Sequence, residues 1–266
     1  MSGHDQTSDR KSNDSKNSDT SECDAATPRS SCKKVAAIIN KFDNCKRKIV
    51  KDMDFGGLLD LPQINKLDRK FTVLLLCNTE PNTRTIRIND KVSLTITDED
   101  VHRILRISKG PNLLRGLDCQ SVDEKIEFLR LAMGSITYDP EEMNSLKVAE
   151  TIITRDYPNG MDATRVDQFK TSFVCFIMGY FLIARSSANH GAKDFWGSLL
   201  KPNEIPSYNF FSAVIDEIMN AARKAQYELK TKKCVKYVLG CPLLLQVSNV
   251  IERSMMQNYY IIFCFR

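Results

Sequence analysis

Three histidines, nine cysteines and a cluster of lysines are the residues of this 266-residue chain whose types could do chemistry. Nucleophilic catalysis by a Cys–His pair needs both groups to converge, with a third group orienting the base. His4 falls in a polar leader, His102 in an expected helix beside Arg103, and His190 in an expected loop after Asn189. Cys175 lies inside the apolar helical run FVCFIMGYF, so core packing is favoured over a pairing with His190. Structural zinc asks for four ligands in closely spaced pairs, and the chain has no C-x-x-C and no H-x-x-x-H. Cys234 and Cys241 read as one packed face of a helix. Gly56-Gly57 fits neither the P-loop nor the dinucleotide fingerprint and reads as a structural turn. Glu141-Glu142 reads as an acidic helix start that complements the dipole. No acid/base pair emerges. The chain is read as non-enzymatic, with no catalytic residue, cofactor or metal expected.

The remaining candidate is electrostatic. Arg223, Lys224, Lys230, Lys232, Lys233 and Lys236 cluster, with Glu228 as the opposing charge. Such a cluster could track phosphates. It equally suits a helix end and the loop that follows, where cations complement the C-terminal dipole. The solvated face is the favoured reading and nucleic acid the alternative.

These residues must be positioned by a folded domain, and composition allows one. Hydrophobic residues make up 42% and charged residues 27%, enough to bury a sizeable core. A formal charge of +5 permits nucleic acid without requiring it. The cysteine count is odd and the spacing irregular, so reduced intracellular thiols packed as small hydrophobes are expected, in nucleus or cytoplasm. The apolar run from Phe173 to Ala184 is about one third short of the roughly 18 residues that a membrane span needs. No membrane is expected.

Residues 1 to 30 hold mainly Ser, Asp, Asn and Lys and are read as a disordered polar tail, since they bury too little to offset ordering entropy. Order is expected to begin near Ser31. Val35, Ile38, Ile39, Phe42, Cys45 and Ile49 recur at helical spacing. Leu61-Pro62 opens the next expected helix, with Ile64, Leu67, Phe71, Leu74 and Leu75 on its face. Its VLLLC run could also be a strand; periodicity favours helix. TRTIRI (83 to 88) and KVSLTI (91 to 96) alternate as a β-hairpin with a two-residue turn at Asn89-Asp90. Thr97-Asp98-Glu99-Asp100 marks a helix start, and Ser121 to Glu124 a capping box before another helix. Residues 134 to 162 carry two turn signals, Tyr138-Asp139-Pro140 and Tyr157-Pro158-Asn159-Gly160. A long helix is expected from Thr164 to Ala184, mainly loop anchored by Trp196 from Arg185 to Pro206, an amphipathic helix from Ser207 to Tyr227, and a last helix from Cys234 to Val247. The fold class is mainly α: a helical domain over 31 to 247 with a small inserted β-hairpin.

Three segments carry a family resemblance: DFGGLLDLP (54 to 62); TRTIRINDKVSLTITDEDVHRILRI (83 to 107); and a third set comprising Phe169 to Phe176, Tyr208-Asn209-Phe210 and Gly240 to Gln246. In this order they resemble the aminotransferase-like plant mobile domain family, which is transposon-associated. Two departures stand out. Relatives usually carry Asn-Trp where this chain has Asn209-Phe210, and aromatic and acidic residues where it continues Val247-Ser248-Asn249-Val250. Residues 248 to 266 are therefore read as a divergent or truncated tail. The label "aminotransferase-like" implies no pyridoxal chemistry here, because no lysine sits in a Schiff-base context. The resemblance implies a nuclear factor linked to genome maintenance or transposon silencing. It makes a protein-interaction module with a protein partner the leading reading. A nucleic-acid-binding factor using the basic cluster is the alternative. An orphaned regulatory fragment of a ubiquitin-like-protein protease polyprotein is the third.

Overall fold

The computed structural model describes residues 27 to 247 except 29, 62–66, 119, 134–144 and 186–192. The chain is mainly α with a small antiparallel sheet. After a two-residue strand, β1 (Thr27–Pro28), come α1 (Cys32–Ile39), α2 (Asn44–Asp52), a 3-10 turn (Gly56–Asp60) and α3 (Arg69–Cys77). The sheet strands β2 (Thr79–Glu80), β3 (Thr85–Arg87) and β4 (Ser93–Thr95) lead into α4 (Asp98–Leu105). Then come α5 (Val122–Met133), α6 (Ser145–Thr154) and α7 (Ala163–Ile177), the last continued by one π-helical stretch (Met178–Leu182). Two 3-10 segments (Lys193–Leu199, Pro202–Ser207), α8 (Phe210–Lys232), β5 (Tyr237–Val238) and helical residues 242–247 complete the order.

Most helices start where a short polar side chain takes up free backbone amides. Ser31 accepts from the Lys34 amide, Asp43 from Lys46, Asp68 from Phe71, Asp162 from Arg165 and Asn209 from Ser212. Thr97 and Asp100 form a reciprocal capping box. Ser121 accepts from the Glu124 amide at 3.1 Å, but the Glu124 carboxylate turns to Arg115 and the Asp118 amide.

The core is built on α7. Phe169, Phe173, Phe176, Phe181 and Leu182 are fully buried. Edge-on and tilted aromatic contacts link it outward: Phe42 to Phe169 (5.6 Å), Phe55 to Phe173 (6.1 Å), and Phe55 on to Phe210 at the start of α8 (5.0 Å). Phe42 belongs to no helix. It continues the apolar spacing of α1 from a loop over 40–43, so the expected run from Val35 to Ile49 is two helices with Asp43 capping the second.

Gly57 is required by packing rather than by backbone conformation. A Cβ there would overlap the Leu105 carbonyl oxygen and Arg106, whose carbonyl accepts from the Gly57 amide at 3.2 Å. A Cβ on Gly56 would make ordinary contacts with Lys51, at 3.5 Å to its Cγ and 3.9 Å to its Cα.

Several expectations shift. The hairpin pairs Thr85 with Thr95, Ile86 with Leu94 and Arg87 with Ser93, a register that makes the loop three residues, Asn89-Asp90-Lys91, instead of two. Asn89 Oδ1 accepts from the amides of Lys91 and Val92, both at 2.9 Å, which draws Lys91 into the loop. The register keeps Ile86 and Leu94 on one buried face. A third strand, β2, joins the sheet. VLLLC is helix, but α3 begins after Asp68; residues 62–66 are outside the described residues.

Helix α6 lies where only turns were expected, although the Tyr157–Gly160 turn is present, with Gly160 at φ +77 and its amide donating to the Tyr157 carbonyl. Tyr138-Asp139-Pro140 falls outside the described residues. The stretch around Trp196 is largely 3-10, with the indole stacked on Phe128 at 4.4 Å. Cys234 to Val247 is not one helix: β5 and a left-handed Gly240 (φ +71) precede the helical residues 242–247. β1 pairs with β5 in parallel, Thr27 with Tyr237 and Pro28 with Val238, and Ser30 donates to the Phe181 carbonyl. Secondary structure is thus present before Ser31; residues 1–26 of the expected tail lie outside the described residues.

Candidate functional site

Helix α8 is broadly buried. Phe211, Val214, Ile215, Ile218, Met219, Ala222 and Ala225 face the core, and Gln226 donates to the carbonyls of Leu76, Cys77 and Thr79. Its exposed residues include a stripe at helical spacing, running Asp216, Asn220, Arg223, Tyr227, Lys230, with Leu229 also exposed beside its end. Tyr227 is 64% exposed, the most exposed aromatic among the described residues. Arg223 and Lys230 flank it at four and three residues, the spacing of side-chain neighbours. Arg223 donates to Asn220 Oδ1 at 3.0 Å.

The structure separates the six expected cations into two groups. Arg223 and Lys230 share the stripe with Tyr227, and half-buried Lys224 borders it. Exposed Lys232, Lys233 and Lys236 gather at the helix end, where Lys233 takes the left-handed cap conformation (φ 58). Glu228 does not oppose them on the surface. It is buried at 6% exposure, and one carboxylate oxygen accepts from the Lys236 amide at 3.1 Å, fixing the turn from α8 into β5. Its other oxygen lies 4.0 Å from Lys232 Nζ. Among the described residues, no carboxylate is within ion-pair distance of Lys230, Lys233 or Lys236; Lys236 Nζ lies over the Tyr237 ring at 5.2 Å.

The other candidates scatter. His102 is exposed on α4, 6.0 Å from the Phe211 ring. His4, His190 and Glu141-Glu142 lie outside the described residues. Cys175 is buried and desolvation raises its thiol far above the ordinary range. Burial likewise pushes Cys32 up to about 11 and Cys241 up to about 12. Such thiols stay protonated at neutral pH and are poor nucleophiles. Cys234 departs from the expectation of reduced thiols throughout: it is disulfide-bonded, and it shares no helix with Cys241. Among the described residues, no group of three or more His, Cys, Asp or Glu is placed to hold a metal, and no helix is long and apolar enough to cross a membrane.

One charged constellation escaped the sequence reading. Arg185 spans two carboxylates, reaching Glu217 at 3.0 Å and Asp194 at 2.6 Å. The Glu217 side chain is 7% exposed, and burial raises its pKa above the ordinary value although Arg185 pulls it down. Arg185 was visible only as the polar end of an apolar run. Glu217 lies 32 residues away on α8, so only folding joins them. The arrangement ties the segment that follows α7 to α8.

Fold and surface together define a mainly α domain whose distinctive exposed chemistry is an aromatic and cationic stripe. The chain belongs to the family described as a domain of unknown function, DUF8566, which it matches over residues 28–246. No curated protein and no solved structure matches it.

Proposed function

We propose that this domain is a non-enzymatic protein-interaction module that presents the exposed face of α8 to a protein partner. The observation that carries the reading is Tyr227, 64% exposed and flanked by Arg223 and Lys230 on the outer face of a helix whose other face is buried in the core. Tyr and Arg are the types that dominate binding energy at protein interfaces, because each offers large contact area with a polar handle. The rigid scaffold beneath the stripe adds support: the helix is fixed by the core and by Gln226, so little ordering entropy is lost on docking. The resemblance to the plant mobile domain belongs to the same proposal, with a transposon-derived origin, a nuclear or cytoplasmic location and a link to genome maintenance.

Nucleic acid is the second reading. The exposed lysines, with Tyr227 among them, provide the cation-plus-aromatic combination that single strands use. A salt titration decides between the two. If Lys230, Lys232, Lys233 and Lys236 each neutralise one phosphate of duplex DNA, log K falls against log salt with a slope of about −3.6. The interaction-module reading expects only weak binding, about 10⁻⁴ to 10⁻⁶ M at physiological salt. Sub-micromolar, sequence-selective binding that disappears when the four lysines become glutamine overturns it.

A further inference from the structure

We infer that the partner of α8 is an acidic amphipathic helix, whose carboxylates meet Arg223 and Lys230 and whose apolar side chain covers Tyr227. The inference rests on the reading of α8 as a protein-docking face and names the chemistry of what docks. Its first support is the way burial sorts charge. Between 217 and 230 the helix carries two acids, Glu217 and Glu228, and three cations, Arg223, Lys224 and Lys230. Both acids are 6% exposed; Glu217 is held by Arg185, and Glu228 accepts from the Lys236 amide. Arg223 and Lys230 are exposed. A stretch that is nearly balanced in sequence thus turns its acids inward and its cations outward. Among the described residues, no carboxylate lies within ion-pair distance of Arg223 or Lys230. Asn220 Oδ1 accepts from Arg223 Nη1 at 3.0 Å, which leaves the Nε and Nη2 edge of the guanidinium fork for a carboxylate. Lys232, Lys233 and Lys236, around disulfide-bonded Cys234, take no part.

The second support is spacing. Asn220, Arg223, Tyr227 and Lys230 follow one another at three, four and three residues. That alternation keeps one face turned toward a partner helix over successive turns. Arg223 and Lys230 are two turns apart, a rise of about 10.5 Å. Two acids seven residues apart on a partner helix repeat at the same rise, and an apolar residue between them falls over Tyr227. Other occupants fit less well. In a second copy of α8 packed antiparallel about Arg223, that guanidinium meets its own counterpart. In parallel register both cations do, and like charges set face to face are repulsive. A single nucleic-acid strand gains two phosphate contacts here, a salt slope of only about −1.4, with one ring on which to stack a base.

Amide NMR titration of the full chain at low salt tests it, with two helical alanine–glutamine peptides of about 20 residues. Both carry a leucine; one has Glu, the other Lys, at two positions seven residues apart on either side of it. The Glu peptide is expected to shift amides between Asn220 and Lys230 and to bind about tenfold or more tightly than the Lys peptide, since attraction becomes repulsion at two positions. Arg223→Glu should cancel or reverse the order, and Lys230→Glu should do the same independently; both replace exposed side chains, and circular dichroism checks their fold. Equal binding of the two peptides, no shift with either, or a preference unchanged in both variants overturns the inference. So does dimerisation of the peptide-free protein through the same amides. A preference for the Lys peptide removes the acidic partner and leaves α8 a protein-docking face. Oligothymidylate binding at these amides more tightly than the Glu peptide sinks both.

Discussion

Replacing Arg185 by methionine should destabilise the protein in a way that depends on pH, and the pH dependence carries the argument. The guanidinium holds Glu217 through Nε and Nη2, both at 3.0 Å, and the carboxylate is 7% exposed. Removing one partner of a buried pair leaves an unpaired buried charge, which costs about 3 to 5 kcal/mol. The lower end, about 3 kcal/mol, applies because the Arg185 side chain is 37% exposed and water already shares the interaction. Burial raises the folded-state pKa of Glu217 above its ordinary 4.5, and Arg185 counteracts that rise. A carboxyl with a raised folded pKa binds more protons folded than unfolded, so its contribution is full below pH 4.5 and is lost as pH rises through the folded value. Without Arg185 that folded pKa climbs further. The Arg185→Met penalty should therefore be near its full size at pH 8 and much smaller at pH 5. Urea unfolding at both pH values measures it. Adding Glu217→Gln to Arg185→Met should recover much of the loss at pH 8 by removing the charge. A penalty equal at both pH values, or a double variant no more stable than Arg185→Met, would refute the reasoning.

Two further predictions concern local structure. Gly57→Ala should lower stability by more than about 2 kcal/mol, since overpacking against the Leu105 carbonyl cannot be relieved by a side-chain shift, whereas Gly56→Ala should be within about 0.5 kcal/mol of wild type; thermal melts compare them directly. Thr97→Ala, which removes the hydroxyl half of the capping box on α4, should cost about 1 kcal/mol in chemical unfolding without changing the far-ultraviolet circular dichroism.

How much of this was legible in the sequence depended on how local the determining contacts are. Thr97-Asp98-Glu99-Asp100 announces α4 because cap and helix lie within one turn. The hairpin was legible from alternation, but its loop length was not, since Asn89 Oδ1 decides it by accepting two amides in a row. Asp68 shows the limit of reading from prolines: Leu61-Pro62 looked like a helix start, yet α3 begins where a side-chain carboxylate accepts the Phe71 amide. Helix α6 was hidden by the turn signals on either side of it. The segment after α8 was misread for a nonlocal reason, because Tyr237–Val238 becomes a strand by pairing with Thr27–Pro28 at the other end of the domain. The site followed the same rule. The six cations were visible as a cluster in the sequence, but their division into a stripe and a helix end depends on where α8 stops and on Glu228 turning inward.

The central claim is that the α8 stripe is a docking face for protein. The direct measurement is quantitative capture on the immobilised full chain from nuclease-treated extract of the source cells, wild type against the double variant Arg223→Ala/Tyr227→Ala. Circular dichroism should first show that the variant folds, as expected for two exposed side chains. A central interface residue contributes about 2 kcal/mol or more, which corresponds to roughly thirtyfold in affinity. The account predicts a protein retained by wild type after nuclease treatment and depleted at least tenfold on the variant. Identical retention by both proteins, or retention that vanishes with nuclease, would contradict it.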